Sequence, residues 1–325
     1  GKLFLDLYEF AGGFEPNPVK QNLEVPVDEA IGASYTLQTA AGDFYGYGVE
    51  DLAVHVYSGS NAYLYVVHVT SAGAIQLPRL SIQTLTSGGS RHMLLTHGDY
   101  NGDVEKIADQ ELAVFNCGWA TDAWCLLSIY NIAKNPDTGV YTFTQADSRG
   151  VPWNFSYAAA ATSGNLVAEA PTAAIRDEIA YTGIHQWYDG TIFVTAERYL
   201  METHIIQLTN GNTIQDVGNS FKPVEFLRHA WNAGFYAPYQ SRISAADLDR
   251  DGQAELISLY ERGDQTAYSS HQIGMIYYKY EAGNLNEKGR WVSDEDPDTT
   301  TVRAELVSGN FGGEGNCLFK ILCMT

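Results

Sequence analysis

Apolar and small residues in this chain fall into short runs, many followed within a few positions by glycine, asparagine or aspartate. Strand-like runs are Leu3–Phe10, Asn22–Val27, Tyr63–Val69, Leu80–Leu85, Leu112–Cys117, Trp124–Tyr130, Val140–Thr144, Thr191–Arg198, His204–Leu208, Ile273–Tyr280 and Gly289–Val292. Asn210-Gly211 and Ala282-Gly283-Asn284 are turn signals between them. No stretch carries a long helical periodicity, so the pattern predicts an all-β protein.

The runs also repeat. Tyr35–Asp43, His92–Asp99, Ala158–Asn165, Arg242–Asp247 and Arg303–Asn310 are each a short strand of small and apolar residues that ends at Asp or Asn. Each passes through a loop into a second strand: Asp51-Leu-Ala-Val, Glu111-Leu-Ala-Val, Glu178-Ile-Ala-Tyr, Glu255-Leu-Ile-Ser and Cys317-Leu-Phe-Lys. The anchors at 43, 99, 165, 247 and 310 are 56, 66, 82 and 63 residues apart. Such intervals suit four-stranded units with variable loops, as in propeller blades.

The last copy stops after two strands, and residues 1–42 hold two more strand-like runs; 310–325 and 1–42 together make 58 residues, one blade's worth. The expectation is one domain over 1–325, a single β-propeller of five blades of four antiparallel strands. The blades fall at about 43–98, 99–164, 165–246, 247–309, and 310–325 joined with 1–42. Pairing the N-terminal and C-terminal strands closes the ring and removes open sheet edges. A fragment of a seven-bladed ring is the rival reading.

Composition narrows the partners. Asp and Glu outnumber Lys and Arg 39 to 19, a net charge of −20, so nucleic acid and anionic membrane are expected to be repelled. No apolar run reaches the roughly 18–20 residues that span a bilayer. The chain opens Gly1-Lys2-Leu3 without Met or a signal peptide, which reads as a processed terminus and fits maturation from a secreted precursor. Cys117 and Cys125 sit on neighbouring runs of one hairpin, where a cross-link is geometrically plausible. Cys317 and Cys323 share one run and should not pair with each other. Asn154-Phe155-Ser156 is a glycosylation sequon.

The sharpest motif is Asp247-Leu-Asp-Arg-Asp-Gly-Gln-Ala-Glu255, flanked by two apolar runs. Ca²⁺ takes six to eight oxygen ligands, and alternating Asp residues on a tight glycine turn supply them. The expected metal ligands are therefore Asp247, Asp249, Asp251 and Glu255, with Asp99, Asn101 and Asp103 as a second set. Flanking strands in place of helices exclude an EF-hand.

The pattern Asp-x-Asp-x-Asp-Gly-x-x-Glu-Leu-Ile at 247–257, repeated with decay, resembles the FG-GAP or VCBS repeat of integrin α-subunit β-propellers and related lectin-like propellers. Departures are plain. Tyr45 and Tyr47 stand where the first copy would need carboxylates, the third copy has lost the spacing, and the fifth keeps only Asn310 and Glu314. The resemblance implies structural Ca²⁺ in loops joining the first and second strands of each blade, clustered on one face.

The opposite face is then built from second-to-third strand loops and blade-to-blade loops. Trp119, Trp124, Trp153, Trp187, Tyr188, Trp231, Tyr236 and Tyr268 fall in or beside them and form the expected ligand-binding set. Rings on one rim suit stacking against a sugar or a flat apolar ligand, although they also suit packing of long loops onto the blades. His185, Asp189, Arg228, His229 and His271 share that rim, and Arg303 and Glu305 face one side of a channel-lining strand; these are the candidate catalytic groups.

The expected function is a secreted, calcium-stabilised module that binds a small molecule or carbohydrate in an aromatic rim. One alternative is a cofactor-independent enzyme, a lyase or cyclase such as the hetero-Diels–Alder catalysts that the resemblance brings in. The other is cell adhesion or protein interaction. No nucleophile elbow, phosphate loop, His-Glu-x-x-His or Cys-x-x-Cys is present in the sequence.

Overall fold

The computed structural model describes residues 3–7, 21–25, 36–44, 51–58, 61–70, 73–76, 80–82, 92–102, 110–117, 124–134, 141–152, 159–168, 175–187, 198–209, 213–224, 240–262, 272–293, 303–309 and 318–324. Among these residues there are 21 strands and no helix, hence no helix long and apolar enough to cross a membrane. The chain divides into two units: Gly1–Gly88 with Lys106–Gln110 and Asn131–Thr144, and Gly89–Glu105 with Glu111–Tyr130 and Gln145–Thr325.

In the first unit, β1 (Leu3–Leu7) and β2 (Gln21–Val25) form an antiparallel pair. The strands β3 (Thr36–Gly42), β4 (Asp51–Ser58), β5 (Asn61–Thr70), β6 (Gly73–Gln76) and β7 (Leu80–Ile82) make one sheet. Its fourth position is split. Val67–Thr70 of β5 pairs with β6 and Ala62–Leu64 with β7. The near-continuous apolar character of β4 and β5 follows from burial on both faces, with Ala53, Val54, Val56, Leu64 and Val66 all buried.

One sheet design repeats through the second unit, the Asn131–Lys134 end of β10 and the Tyr141–Thr144 end of β11 being assigned to the first. The strands β8 (His92–Gly98), β9 (Glu111–Cys117), β10 (Trp124–Lys134) and β11 (Tyr141–Pro152) pair in chain order. So do β12 (Ala159–Gly164), β13 (Glu178–Trp187), β14 (Arg198–Thr209) and β15 (Thr213–Val224), and again β16 (Gln240–Ala246), β17 (Glu255–Arg262), β18 (Gln272–Glu281) and β19 (Asn284–Val292). A two-stranded sheet of β20 (Arg303–Gly309) and β21 (Leu318–Met324) follows.

These sheets stack face to face, and β13 shows how. By period two its Ile179 and Tyr181 join Leu94, Phe115, Leu127 and Ile129 of the preceding sheet, whereas Ala180 and Ile184 join Ile243, Leu256, Ile276 and Tyr278 of the following one. Each such fully buried side chain contributes about 1.5–3 kcal/mol. Leu259 and Ile273 continue the stack toward Leu306 of β20. The first strands lie side by side, β8 next to β12, β12 next to β16 and β16 next to β20. Small residues allow that approach: a Cβ on Gly164 would stand 3.1 Å from the Ala245 Cβ.

Two expectations are corrected. Where five four-stranded blades are expected, the described pairings give four sheets of four or five strands, and the strands assigned to the joined fifth blade form two separate pairs, β1–β2 and β20–β21. The sheets also begin at the strand before each anchor, spanning 36–82, 92–152, 159–224 and 240–292. Boundaries at 43–98, 99–164, 165–246 and 247–309 therefore cut each first hairpin in two; its register, such as Ala246 opposite Glu255, binds the strands on both sides of the anchor into one sheet.

Cys117 and Cys125 stand directly opposite each other on β9 and β10 and are disulfide-bonded, with Cα atoms 4.0 Å apart. Cys317 lies outside the described residues.

Candidate functional site

The acidic loop joins β16 to β17 and folds itself through its own carboxylates. Asp247 accepts the N–H groups of Asp251 (3.1 Å) and Gly252 (3.0 Å), Asp249 Oδ1 that of Asp251 (3.2 Å), and Asp251 Oδ1 that of Gln253 (2.9 Å). Glu255 Oε2 reaches back across the loop to the Leu248 N–H at 2.8 Å. Short acceptors bonding to nearby N–H groups are what Asp does well in turns. The turn needs left-handed backbone at Arg250 (φ 63°) and Gly252 (φ 90°), and only the second of these is free of Cβ strain.

The second oxygens of three of these acids converge on one point, and Lys279 of β18 fills it. Its Nζ lies 2.6 Å from Asp249 Oδ2, 2.7 Å from Asp251 Oδ2 and 2.7 Å from Glu255 Oε1. The first two are hydrogen bonds; the third is an ion pair out of line for one. Glu255 is fully buried and the Lys279 side chain only 11% exposed. Burial works against the charge on Lys279, but the hydrogen bonds to Asp249 and Asp251 and the adjacent Glu255 carboxylate outweigh it and push its pKa up. The same ammonium, with the Gln253 N–H, holds the Asp251 carboxyl below the usual range.

In donor type these acids fit a hard cation: Asp247, Asp249 and Glu255 offer oxygens within 4.8 Å of one another. In position they do not. A Ca²⁺ bound about 2.3–2.6 Å from Asp249 and Glu255 would coincide with the ammonium.

The neighbouring loops share the plan. Glu111, first residue of β9, accepts the Tyr100 N–H on Oε2 (2.8 Å) and the Asn101 side-chain amide on Oε1 (2.6 Å), while Asp99 accepts the Gly102 N–H at 2.8 Å. Asn101 thus turns its nitrogen, not its oxygen, to the acid in the loop expected to form a second metal site; Asp103 lies outside the described residues. Glu178, first residue of β13, accepts the N–H groups of Leu166 and Val167 on Oε2, both at 2.8 Å, and the Gln207 amide of β14 on Oε1 at 3.1 Å. Loops also bond to their neighbours. The Asp177 N–H meets the Asp99 carbonyl (2.8 Å), the Ala254 N–H the Asn165 carbonyl (2.6 Å) and the Gln110 N–H the Asp43 carbonyl (3.2 Å).

Trp119, Trp153, Tyr188, Asp189, Arg228, His229, Trp231, Tyr236, Tyr268 and His271 lie outside the described residues. Trp124, His185, Trp187, Arg303 and Glu305 stand on β10, β13 and β20, where the backbone alone is described.

One cluster escapes the sequence reading. His204 on β14 is 2% exposed and bonds through Nε2 to Glu202 Oε1 (2.6 Å) and through Nδ1 to Asp216 Oδ2 (2.8 Å). Its ring stacks on Tyr181 with centroids 4.9 Å apart and planes at 9°. Burial is the largest single influence and opposes the charge, yet the bonds and charges of Asp216 and Glu202 together push the imidazole up to about 9. The Glu-x-His pair on one face of a strand is the signal that could have found it.

No family model matches the chain, and no curated protein matches it either.

Proposed function

We propose that this chain is a β-propeller of the FG-GAP type that acts as a secreted binding module, taking a small molecule or carbohydrate at the end of its sheets opposite the acidic loops. One observation carries the reading. The acidic loops all join first to second strands, at β8–β9, β12–β13 and β16–β17, so antiparallel pairing puts the strand ends that border segments 118–123, 188–197 and 263–271 at the opposite end of the sheets. The strand ends that border the sheet-to-sheet segments 153–158 and 225–239 lie at that end too, because each of these sheets has four strands. Five of the six tryptophans fall in these segments or at the strand ends that flank them. Trp291, 48% exposed near the end of β19, belongs to the same end.

The propeller part is supported by face-to-face stacking with first strands side by side, an arrangement that four-stranded blades adopt around an axis. Secretion is supported by the Cys117–Cys125 bond, since disulfides persist in oxidising compartments.

The test is a glycan array and a small-molecule thermal-shift screen of the full chain, repeated with Trp187→Ala and Trp231→Ala. Ligands should raise the melting temperature of the wild type, and each substitution should weaken binding while the fold stays intact. Binding that survives both substitutions, or is lost instead on changing Asp249, would sink the assignment to the aromatic end.

A further inference from the structure

We infer that Lys279 is the resident cation of the 247–255 loop: its ammonium takes the place of a metal ion, the loop is calcium-independent in the wild type, and removing this one side chain turns it into a calcium site. The inference is independent of what the aromatic end binds.

The stoichiometry of the contacts suits an ammonium. An ammonium has three N–H groups, and three carboxylate oxygens meet Nζ at 2.6–2.7 Å. The remaining oxygens of those acids, and both of Asp247, point at backbone N–H groups of the loop. Carboxylates divided in this way serve one central cation and one backbone each.

Repetition points the same way. By strand register Lys279 stands opposite Glu255, one residue beyond the Leu256–Tyr278 pair, and Gln207 stands opposite Glu178, one residue beyond Ile179–Ile206. The following strand slips register at the same point in both sheets, between Ile205 and Ile206 and between Tyr277 and Tyr278. The position is therefore one structural site, and in both sheets its side chain faces Oε1 of the acid, as a hydrogen bond from Gln207 and as an ion pair from Lys279. The sheet of β12–β15 has a neutral amide there, and its loop lacks the Asp residues at 249 and 251. The sheet of β16–β19 has a cation, and its loop supplies the added negative charge. Position and loop match in charge, as expected of an internal substitution.

Consequences follow for the variant. Without the ammonium, Asp247, Asp249, Asp251 and Glu255 stand close together with no counter-charge from β18, and oxygens in that number and spacing suit a hard divalent ion. Extracellular calcium modules bind with Kd of about 10⁻⁴–10⁻³ M. At 10 mM Ca²⁺ such a site would raise the melting temperature by several degrees, roughly, through mass action.

The experiment compares full-length wild type, Lys279→Ala and Lys279→Gln by thermal melting in EDTA, in Ca²⁺ and in Mg²⁺ at matched ionic strength, with terbium luminescence as a direct reading of ion binding. The Gln variant places in this sheet the residue that the preceding sheet already accommodates, so it remains informative if the Ala variant does not fold. The wild type should melt within about a degree of the same temperature in EDTA and Ca²⁺ and show little terbium signal. Either variant should melt lower in EDTA, recover with Ca²⁺ and bind terbium. A wild type that binds terbium and loses stability on chelation overturns the inference, as does a folded variant with no response to Ca²⁺.

Discussion

Gln207 Nε2 lies 3.1 Å from Glu178 Oε1, and Gln207 occupies in its sheet the register position that Lys279 holds opposite Glu255. The acid is constant and its partner varies. In each of three sheets the acid opening the second strand receives one or two loop N–H groups on one oxygen and faces a side-chain amide or ammonium with the other, so one carboxylate pins a turn. That device explains why the loops keep their shape after the Asp spacing has decayed.

Glu178 should accordingly be among the costliest residues to change. It is fully buried and accepts the Leu166 and Val167 N–H groups and the Gln207 amide. Glu178→Ala leaves these N–H donors without their acceptor, at about 1–3 kcal/mol for each buried one. Glu178→Gln, which keeps the shape and one acceptor, should cost less. Urea unfolding of the two variants would check the order.

His204 should give stability an alkaline limit. Its folded pKa of about 9 lies above the ordinary value of 6.5, so the folded state holds the proton more tightly. The contribution is fully present below pH 6.5 and fades as pH rises through about 9; at most it amounts to about 3 kcal/mol. Melting temperature measured from pH 6 to 10 should fall in the wild type and fall less in His204→Gln, because the amide carries no titrating proton. Equal slopes would refute the assignment.

His55 should set the acid limit. It is 1% exposed, and burial lowers its pKa from 6.5 to about 4; Nε2 has no hydrogen-bond partner among the described residues. Here the unfolded chain binds the proton more readily. Stability is fully present above pH 6.5 and is lost progressively as pH falls toward 4. His55→Leu, close in volume and unable to titrate, should flatten the acid side of the melting profile between pH 6.5 and 4 and leave the alkaline side as it was.

The Cys117–Cys125 bond closes a short loop of sequence separation 8. Chain entropy assigns such a cross-link about 2.5 kcal/mol. Reduction, or the double change to Ser, should lower the denaturation midpoint accordingly, with the buried strands β9 and β10 keeping the fold. A midpoint unmoved by reductant would mean that the bond adds nothing to the hairpin.

Much of this architecture is written in local pattern. Period-two runs and the recurrent strand–Asp–loop–strand unit determine an all-β chain of hairpins, because side-chain alternation and turn chemistry depend on residues a few positions apart. The acids at 247–255 and their glycine are legible for the same reason, and the Cys117–Cys125 pairing follows from hairpin register. What fills the loop is another matter. Lys279 lies far along the chain on the third strand, and its approach to Asp249, Asp251 and Glu255 depends on cross-strand register, to which spacing within the motif is blind. The His204 cluster has the same origin, since Asp216 meets it from β15 beside a register slip. By itself, then, the sequence determined strands, repeats and the acidic loop, all set by short-range geometry; the tertiary structure decided which cation sits in that loop and which histidine is held charged, because both depend on charges that only strand pairing brings together.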